Sequence, residues 1–218
     1  MKAYRAKELP YYIVGNVVIL LILLYPLRMS DIIGGITTCV ALSITLYVYT
    51  FIIDALLSKE AKIRLTYGSD RYLPGSRVFD EILKNKDIRY DADVAKARYS
   101  EIYKTLDTLN GKERAKYQNT EWYKIYSHLS ESKNEAVDST QNDYLLCRDL
   151  NVCTLSICGM YLLVTVLFWF TSSAKLFNAW FLLVLGIEWI VTNIAMRNKA
   201  IRFVHTVIAK DLEGGVKQ

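Results

Sequence analysis

Apolar residues are concentrated in four stretches of this chain, arranged as two pairs on either side of a charged middle region. Each stretch has about the 17 to 25 residues that a helix needs to cross a bilayer core. Helix is the expected conformation, since an open strand would leave backbone amides unpaired in lipid. The pattern therefore predicts four transmembrane helices in two tight hairpins, which cover Tyr11–Leu27, Ile32–Leu57, Val152–Phe170 and Leu176–Met196.

The positions of Lys and Arg beside these stretches predict the orientation of the chain. Basic residues precede the first stretch and follow the second and the fourth, whereas the two hairpin turns carry only Arg28 and Lys175. Basic residues near span ends favour the cytosolic side of a membrane. We therefore expect an inner (plasma) membrane protein with both termini and the middle region in the cytosol. A cleavable signal peptide is not indicated, because Tyr25–Arg28 is a poor small-residue cleavage site.

This division predicts an all-α, polytopic membrane protein with a cytosolic helical insert. An N-terminal cytosolic segment with the first hairpin is expected over residues 1–57, and a cytosolic helical domain over residues 58–151. The second hairpin is expected over residues 152–196, and a basic amphipathic tail over residues 197–218. In the tail, apolar residues share one helical face, which predicts a surface helix on the inner leaflet. That face consists of Ile201, Val204, Ile208 and Leu212.

Helical patterning continues through the middle region. The second apolar stretch has no helix breaker at its inner end, so its helix is predicted to continue from Leu57 to Arg64. Gly and Pro then indicate turns within residues 67–76. Three further helices are predicted. The first begins at Asp91 or Asp93 and ends at Asn110–Gly111. The second begins near Asn119 or Thr120, and the third begins near Ala136.

Composition and charge exclude several classes of protein. The formal net charge of +5 comes mostly from the terminal segments. We therefore expect the middle region to have no nucleic-acid-binding face, and we expect no direct DNA binding. The four cysteines form no CxxC pair and have no nearby histidine, which indicates neither a metal site nor a disulfide framework. Hydrolase, kinase and nucleotide-loop motifs are missing, so we expect a non-enzymatic protein without a cofactor.

Tyrosine recurs among Lys and Arg in the middle region, and two interpretations are open. Aromatic faces can stack on bases while guanidinium groups hold phosphates, which would serve nucleotide capture. Tyrosine rings can also build a small helical core, with their hydroxyls at its surface. The candidate ligand loop, for a cytosolic protein or a nucleotide signal, contains Arg71, Tyr72 and Arg77, because Gly and Pro fix a turn there.

Glu188 is the only acidic residue deep within a predicted span. An ionised carboxylate in lipid is costly unless it is paired, hydrated or protonated, so Glu188 should face protein or water. At a rise of about 1.5 Å per residue, each other span offers a polar group at a similar depth: Asn16, Tyr49, and Ser156 or Cys158. This layer either joins the helices through hydrogen bonds or lines an aqueous path in a homo-oligomer, where a ring of carboxylates would favour cations.

The layout resembles the four-span membrane effectors of prokaryotic antiviral defence systems based on nucleotide signalling, and the membrane accessories of some CRISPR systems. The resemblance rests on two hairpins, Tyr11–Leu57 and Val152–Met196, around a cytosolic insert, and on no specific motif. It implies a dormant homo-oligomer that perturbs or permeabilises the inner membrane when its cytosolic part senses infection. The alternative is a non-conducting scaffold or accessory subunit, in which the spans anchor a cytosolic interaction module and Glu188 is a packing residue.

Overall fold

A computed structural model of the chain describes residues 8–24, 32–58, 61, 65–68, 73–84, 87–132, 134–169 and 177–215. These residues form helices and no strands, which confirms the predicted all-α fold for this part of the chain. In chain order the elements are α1 (Glu8–Leu24), α2 (Ile32–Leu56), a 3₁₀ helix (Pro74–Arg77), α3 (Val78–Ile82), α4 (Ala92–Arg98), α5 (Ser100–Leu106), α6 (Gly111–Glu131), α7 (Glu135–Trp169) and α8 (Ala179–Gly215).

The chain divides into two compact units, each built from segments that are distant in the sequence. The apolar unit comprises the described residues within 1–62 and 146–194. The polar unit comprises those within 63–145 and 195–218. Helices α7 and α8 each contribute residues to both units.

Side chains of α1, α2, α7 and α8 form the core of the apolar unit, which consists of Ile13, Val17, Leu46, Cys153, Ile157, Tyr161, Phe181 and Leu185. At its centre the rings of Tyr161 and Phe181 lie edge to face, with centroids 5.0 Å apart. Other helix faces remain open. On α2 an apolar stripe recurs every four residues and is 48–60 % exposed, and it consists of Ile36, Val40, Ile44 and Val48. Such a stripe is typical of a helix that faces lipid.

The start of α8 is fixed by Asn178. Its Oδ1 atom accepts hydrogen bonds from the backbone N–H groups of Trp180 at 2.9 Å and Phe181 at 3.3 Å. This is the usual role of an Asn residue at a helix N-cap. The side-chain amide also donates to the carbonyl of Leu23 at 3.0 Å, and so connects α8 to the end of α1.

Within the part of the chain that the structure describes, three helices, α2, α7 and α8, contain a stretch long and apolar enough to cross a bilayer. Helix α1 is apolar but shorter, with 17 residues. The residues that would extend the first predicted span to Leu27, and both predicted hairpin turns with Arg28 and Lys175, lie outside the described residues. The structure therefore supports a membrane protein with three helices of spanning length, and the fourth span and the hairpins remain predictions.

Aromatic side chains build much of the core of the polar unit. Phe79 on α3 lies edge to face with Tyr99 and Tyr103, at centroid distances of 5.4 and 6.1 Å. Phe203 on α8 makes the same type of contact with Trp122 on α6 at 5.4 Å. Most middle-region tyrosines thus serve as core residues, and those that pack against or within this core are Tyr90, Tyr99, Tyr103, Tyr117, Tyr126 and Tyr144.

Gln118 on α6 holds the short helix α3 in place. Its Oε1 atom accepts hydrogen bonds from the N–H groups of Phe79 and Asp80, at 3.1 and 3.3 Å. Its Nε2 atom donates to Oδ2 of Asp80 at 2.7 Å, and Arg114 contacts the other carboxylate oxygen at 2.6 Å. A side chain of α6 therefore satisfies N–H groups that the first turn of any helix leaves unpaired. The sequence analysis predicted only turns at the start of this segment and did not anticipate α3.

Helix α2 ends earlier than predicted. Its last helical residue is Leu56, and Leu57 and Ser58 are not helical; most of the predicted continuation to Arg64 lies outside the described residues. The Ser58 hydroxyl accepts a hydrogen bond of 3.1 Å from the N–H of Ala61. A serine side chain that bonds to nearby backbone competes with helix propagation, and propensity alone does not reveal this competition.

The middle helices follow the prediction in part. Asp91 caps α4 by accepting hydrogen bonds from the N–H groups of Asp93 and Val94, but the predicted first helix is divided into α4 and α5 at Tyr99. Helix α6 begins at Gly111, well before the predicted start near Asn119. Helix α5 ends at Leu106, before the predicted end at Asn110–Gly111, and Asn110 is instead the N-cap residue of α6. The predicted third helix is the first part of α7.

Residues 197–215 differ most from expectation. Instead of forming a separate tail on a membrane surface, they continue helix α8 and pack into the core of the polar unit. The buried face consists of Phe203, Val204, Val207, Ile208 and Leu212. Ile201, predicted on the same face, is 48 % exposed. The helical period was correct, but an apolar face does not by itself reveal whether lipid or protein covers it.

Candidate functional site

Glu188 lies in the apolar part of α8, where polar groups of three helices meet. Its Oε2 atom accepts a hydrogen bond of 2.7 Å from the hydroxyl of Tyr12 on α1. The same hydroxyl lies 2.7 Å from Oγ1 of Thr154 on α7. We call these three residues the Glu188 junction. It joins α1, α7 and α8 at one point inside the apolar unit.

Helical spacing on α1 explains why Tyr12 reaches this point. Tyr12 and Asn16 are one turn apart and share a face, whereas Tyr11 points away and is 75 % exposed. In the sequence alone, the two adjacent tyrosines cannot be told apart. Asn16 is buried, and its Nδ2 atom donates to the Tyr12 carbonyl at 3.2 Å. Its Oδ1 atom has no hydrogen-bond partner among the described residues.

The hydrogen bond to the Glu188 carboxylate comes from Tyr12 and not from another member of the predicted polar layer. Ser156 is buried, and its hydroxyl donates to the Val152 carbonyl of its own helix at 2.9 Å. Tyr49 and Cys158 are half-buried on α2 and α7. Counting depth along each helix thus indicated a polar level, but the hydrogen-bond partner of Glu188 is Tyr12, and Tyr12 in turn contacts Thr154.

A second polar link joins α7 to α8 close to Glu188. Asn151 is fully buried, and its Nδ2 atom donates to the Trp189 carbonyl at 3.1 Å and to Thr192 Oγ1 at 3.0 Å. Thr192 in turn donates to the Glu188 carbonyl at 2.8 Å. Asn151 and Thr192 were not among the residues predicted from the sequence. Their signal was present, since Asn151 and Thr154 are three residues apart on one helical face.

The candidate ligand loop is described only at its end. Arg71 and Tyr72 lie outside the described residues, and Arg77 is an exposed residue at the end of the 3₁₀ helix. Only one of these three side chains is therefore described. Nucleotide or protein binding by this loop stays a prediction.

His205 lies in a charged cluster of the polar unit, although it is isolated in the sequence. Its Nδ1 atom is 2.6 Å from the Tyr90 hydroxyl, and its Nε2 atom is 3.4 Å from Oε2 of Glu81. Oδ2 of Asp87 lies 3.9 Å from Nδ1. Beside it, Arg89 pairs with Asp87 at 2.6 Å. These contacts fasten the buried part of α8 to the segment that follows α3.

The ionisation of this cluster follows from its contacts. The hydrogen bond with His205 lowers the pKa of Glu81, although burial opposes the change. The hydrogen bonds from Arg89 lower the pKa of Asp87. Burial raises the pKa of Tyr90. Because both carboxylates are stabilised in their charged forms, the cluster is an ion-pair network that acid would weaken.

The described residues contain no group of three or more His, Cys, Asp or Glu side chains that could hold a metal ion. All four cysteines are free thiols, and Cys153 is buried in the apolar core. No protein-family model, curated protein or solved structure matches the chain. What the arrangement can do chemically therefore rests on the Glu188 junction, whose hydrogen-bonding groups lie within an apolar unit.

Proposed function

We propose that this chain is an oligomeric inner-membrane effector that perturbs or permeabilises the membrane under the control of a cytosolic helical sensing unit. The observation that carries the proposal is the ionisable Glu188 within an apolar helix of spanning length, hydrogen-bonded to Tyr12 on α1, whose hydroxyl also contacts Thr154 on α7. Intramembrane ionisable residues commonly mark ion or proton pathways. The resemblance in layout extends the proposal to antiviral defence.

Control by the polar unit is supported by the two shared helices. Both helices contribute to the core of the polar unit. Helix α7 contributes Val137, and helix α8 contributes Phe203, Val204, Val207, Ile208 and Leu212. Both also contribute to the apolar core, through Ile157 and Leu185. A partner that repacked the polar unit would therefore act on helices that carry the Glu188 junction. Such transmission through packed helices requires two discrete arrangements of the elements.

Ion flux through liposomes that contain the purified protein tests the proposal. We expect cation flux with the wild-type protein, and a loss of cation preference with Glu188→Gln, which keeps the shape of the side chain but removes its charge. Glu213→Gln is the matched control, because Glu213 is an exposed carboxylate on the same helix but in the polar unit. Wild-type protein that is folded and inserted but passes no ions would contradict permeabilisation.

A non-conducting scaffold is the second candidate, and one contact favours it. Glu188 already has a hydrogen-bond partner, Tyr12, within the same chain, as a packing residue would. If Glu188→Gln behaves as wild type while Glu188→Leu destabilises the fold, the scaffold is favoured and the membrane-perturbing function loses its main support. Oligomeric state is a separate test, since a monodisperse monomer in detergent and in nanodiscs would contradict the proposed homo-oligomer.

A further inference from the structure

The exposed side of α8 continues beyond the apolar stretch of this helix. Helix α8 runs without interruption from Ala179 to Gly215. In its first half, apolar side chains that are 52–58 % exposed recur on one side, and they are Leu183, Ile187, Ile190, Val191 and Ile194. The same helical spacing leads to four further exposed residues, which we call the basic face: Arg197, Asn198, Ile201 and Arg202. One side of the helix thus changes from apolar to basic within a single turn.

Arg197 and Arg202 differ from the other arginines in having no partner. Neither side chain makes a hydrogen bond or an ion pair within the part of the chain that the structure describes. The other described arginines each have an interaction partner, and they are Arg77, Arg89, Arg98, Arg114 and Arg148. A guanidinium group is always charged in proteins. The basic face therefore presents two positive charges that are available to an anion.

The position of these arginines along α8 fits the headgroup layer of a bilayer. At a rise of about 1.5 Å per residue, Arg197 lies about 4.5 Å beyond Ile194, and Arg202 lies about 12 Å beyond it. The headgroup layer is roughly 5–8 Å thick on each side of the hydrocarbon core. Side chains on a helix lean toward its N-terminus, so the long Arg202 side chain returns toward this layer. Both guanidinium groups can therefore reach lipid phosphates.

We infer that the basic face binds the headgroups of anionic phospholipids. The inference deepens the proposed function, and it rests on that function in placing the apolar part of α8 in the inner membrane. Arginine suits this ligand, because its planar group donates two parallel hydrogen bonds to a phosphate. Ile201 lies between the two arginines on the exposed side. An apolar side chain between two cations suits a lipid, which has an anionic and an apolar part, better than a soluble anion.

The two lysines of the same segment are already paired. Lys199 contacts Asp143 at 2.6 Å, and Lys210 contacts Glu213 at 2.7 Å. These lysines thus neutralise carboxylates of the chain itself, whereas the two arginines do not. The charge of the basic face is therefore complementary to an anionic membrane surface, which attracts each basic side chain close to it.

Lipid titrations of the full chain in detergent, followed by native mass spectrometry, test the inference. We expect the wild-type protein to bind phosphatidylglycerol, which is anionic, more tightly than phosphatidylcholine, which is zwitterionic. Arg197→Gln combined with Arg202→Gln should weaken phosphatidylglycerol binding by at least about fivefold, the usual effect of one basic side chain near an anionic surface. Its binding of phosphatidylcholine should not change. Equal affinities of the wild-type protein for the two lipids would overturn the inference, whatever the variant does.

Lys199→Gln combined with Lys210→Gln is the matched control. It removes the same two charges from the same helix, at side chains that already have partners. We expect this variant to keep the wild-type preference for phosphatidylglycerol. An equal loss in the lysine and arginine variants would assign the preference to net charge and contradict the basic face. Inorganic phosphate at the lipid concentration should not displace phosphatidylglycerol, and displacement would show a site for a soluble anion and overturn the lipid surface.

This outcome is independent of ion flux. A preference for phosphatidylglycerol in a protein that passes no ions supports the basic face and contradicts permeabilisation. Ion flux through a protein that binds both lipids equally overturns the basic face and leaves permeabilisation supported.

Discussion

Gly75 shows how closely single positions determine the packing of the polar unit. A Cβ atom at this position would lie 2.8 Å from both Oδ1 of Asn119 and a ring carbon of Trp122. Both are atoms of α6, so the absence of a side chain allows the 3₁₀ helix to lie directly against that helix. The sequence analysis assigned Gly75 to a turn, and its role as a contact residue was not visible there.

Replacing Gly75 tests this close approach. We expect Gly75→Ala to lower the free energy of unfolding by about 1–3 kcal/mol, because the added methyl group displaces Trp122. Denaturant titration followed by Trp122 fluorescence, with the other tryptophans replaced by Phe, measures the change. The control is Gly214→Ala, where a Cβ atom meets nothing within 4 Å. Equal stability of Gly75→Ala and wild type would contradict the packing described here.

The Glu188 junction marks the limit of residue-level inference from sequence. An acid in an apolar stretch was recognisable by composition alone, and so was the need for a partner. The identity of the partner was not, because Tyr11 and Tyr12 are adjacent tyrosines and only the rotation of α1 about its axis decides which one faces Glu188. Helix rotation depends on packing with neighbouring helices, and no local pattern encodes it.

At the scale of elements, the second half of α8 is the main buried element of the polar unit. We expect Phe203→Ala to destabilise this unit by about 3–5 kcal/mol, the usual cost of removing a buried aromatic side chain. Ile201→Ala is the control, since Ile201 is on the same helix but exposed. A helix that lay on a membrane surface would give the two substitutions similar effects, as measured by denaturation in detergent.

The ion-pair network that holds α8 predicts acid sensitivity. The pKa values of Glu81 and Asp87 are lowered by His205 and Arg89, so their contribution to stability is complete above the ordinary carboxyl pKa of about 4 and is lost as pH falls through the lowered values. We expect the midpoint of unfolding to fall with pH in this range. Arg89→Gln should flatten the dependence, whereas Lys112→Gln, at an exposed position on α6, should leave it unchanged.

Alkaline pH should also weaken the polar unit, through a buried tyrosine. Burial raises the pKa of Tyr103 to about 12, and its hydroxyl donates to the carbonyl of Phe79. Because the unfolded chain releases this proton first, stability should decrease as pH rises above about 10. We expect Tyr103→Phe to reduce that decrease, measured by denaturant titration across this range. An unchanged alkaline dependence in Tyr103→Phe would assign the effect to other groups.

The elements recovered from sequence are those with long, regular patterns. The described parts of the apolar stretches are helical, as their periodicity predicts, whereas α6 begins well before its predicted start and the first middle helix is divided at Tyr99. Helix α3 was missed because its five residues are too short for a period, and its N–H groups depend on Gln118 of a distant helix. The early end of α2 depends on a single serine side chain. Both features are tertiary or local hydrogen bonds rather than patterns of hydrophobicity.

At the scale of the whole molecule, the orientation of the chain is still a prediction from its Lys and Arg distribution. A cysteine introduced as Asn110→Cys, at an exposed position of the polar unit, should resist an impermeant thiol reagent added to intact cells. It should react once the membrane is opened. Ser173→Cys, in the second predicted hairpin turn, should react in intact cells. The opposite labelling pattern would reverse the topology.

The polar unit is built from two separate stretches of the chain, and this has a consequence for its biosynthesis. Residues 63–145 leave the ribosome before residues 146–194, and these precede the segment that supplies Phe203, Val204, Val207, Ile208 and Leu212 to the same core. The first part therefore waits with Trp122 and Tyr126, which contact Phe203 in the completed core, uncovered on that side while the apolar stretches of α7 and α8 are being synthesised. Exposed apolar surface of this kind is what chaperones bind and what aggregates. Maturation of the polar unit must consequently follow translation of α8, so membrane insertion and completion of this core are successive events.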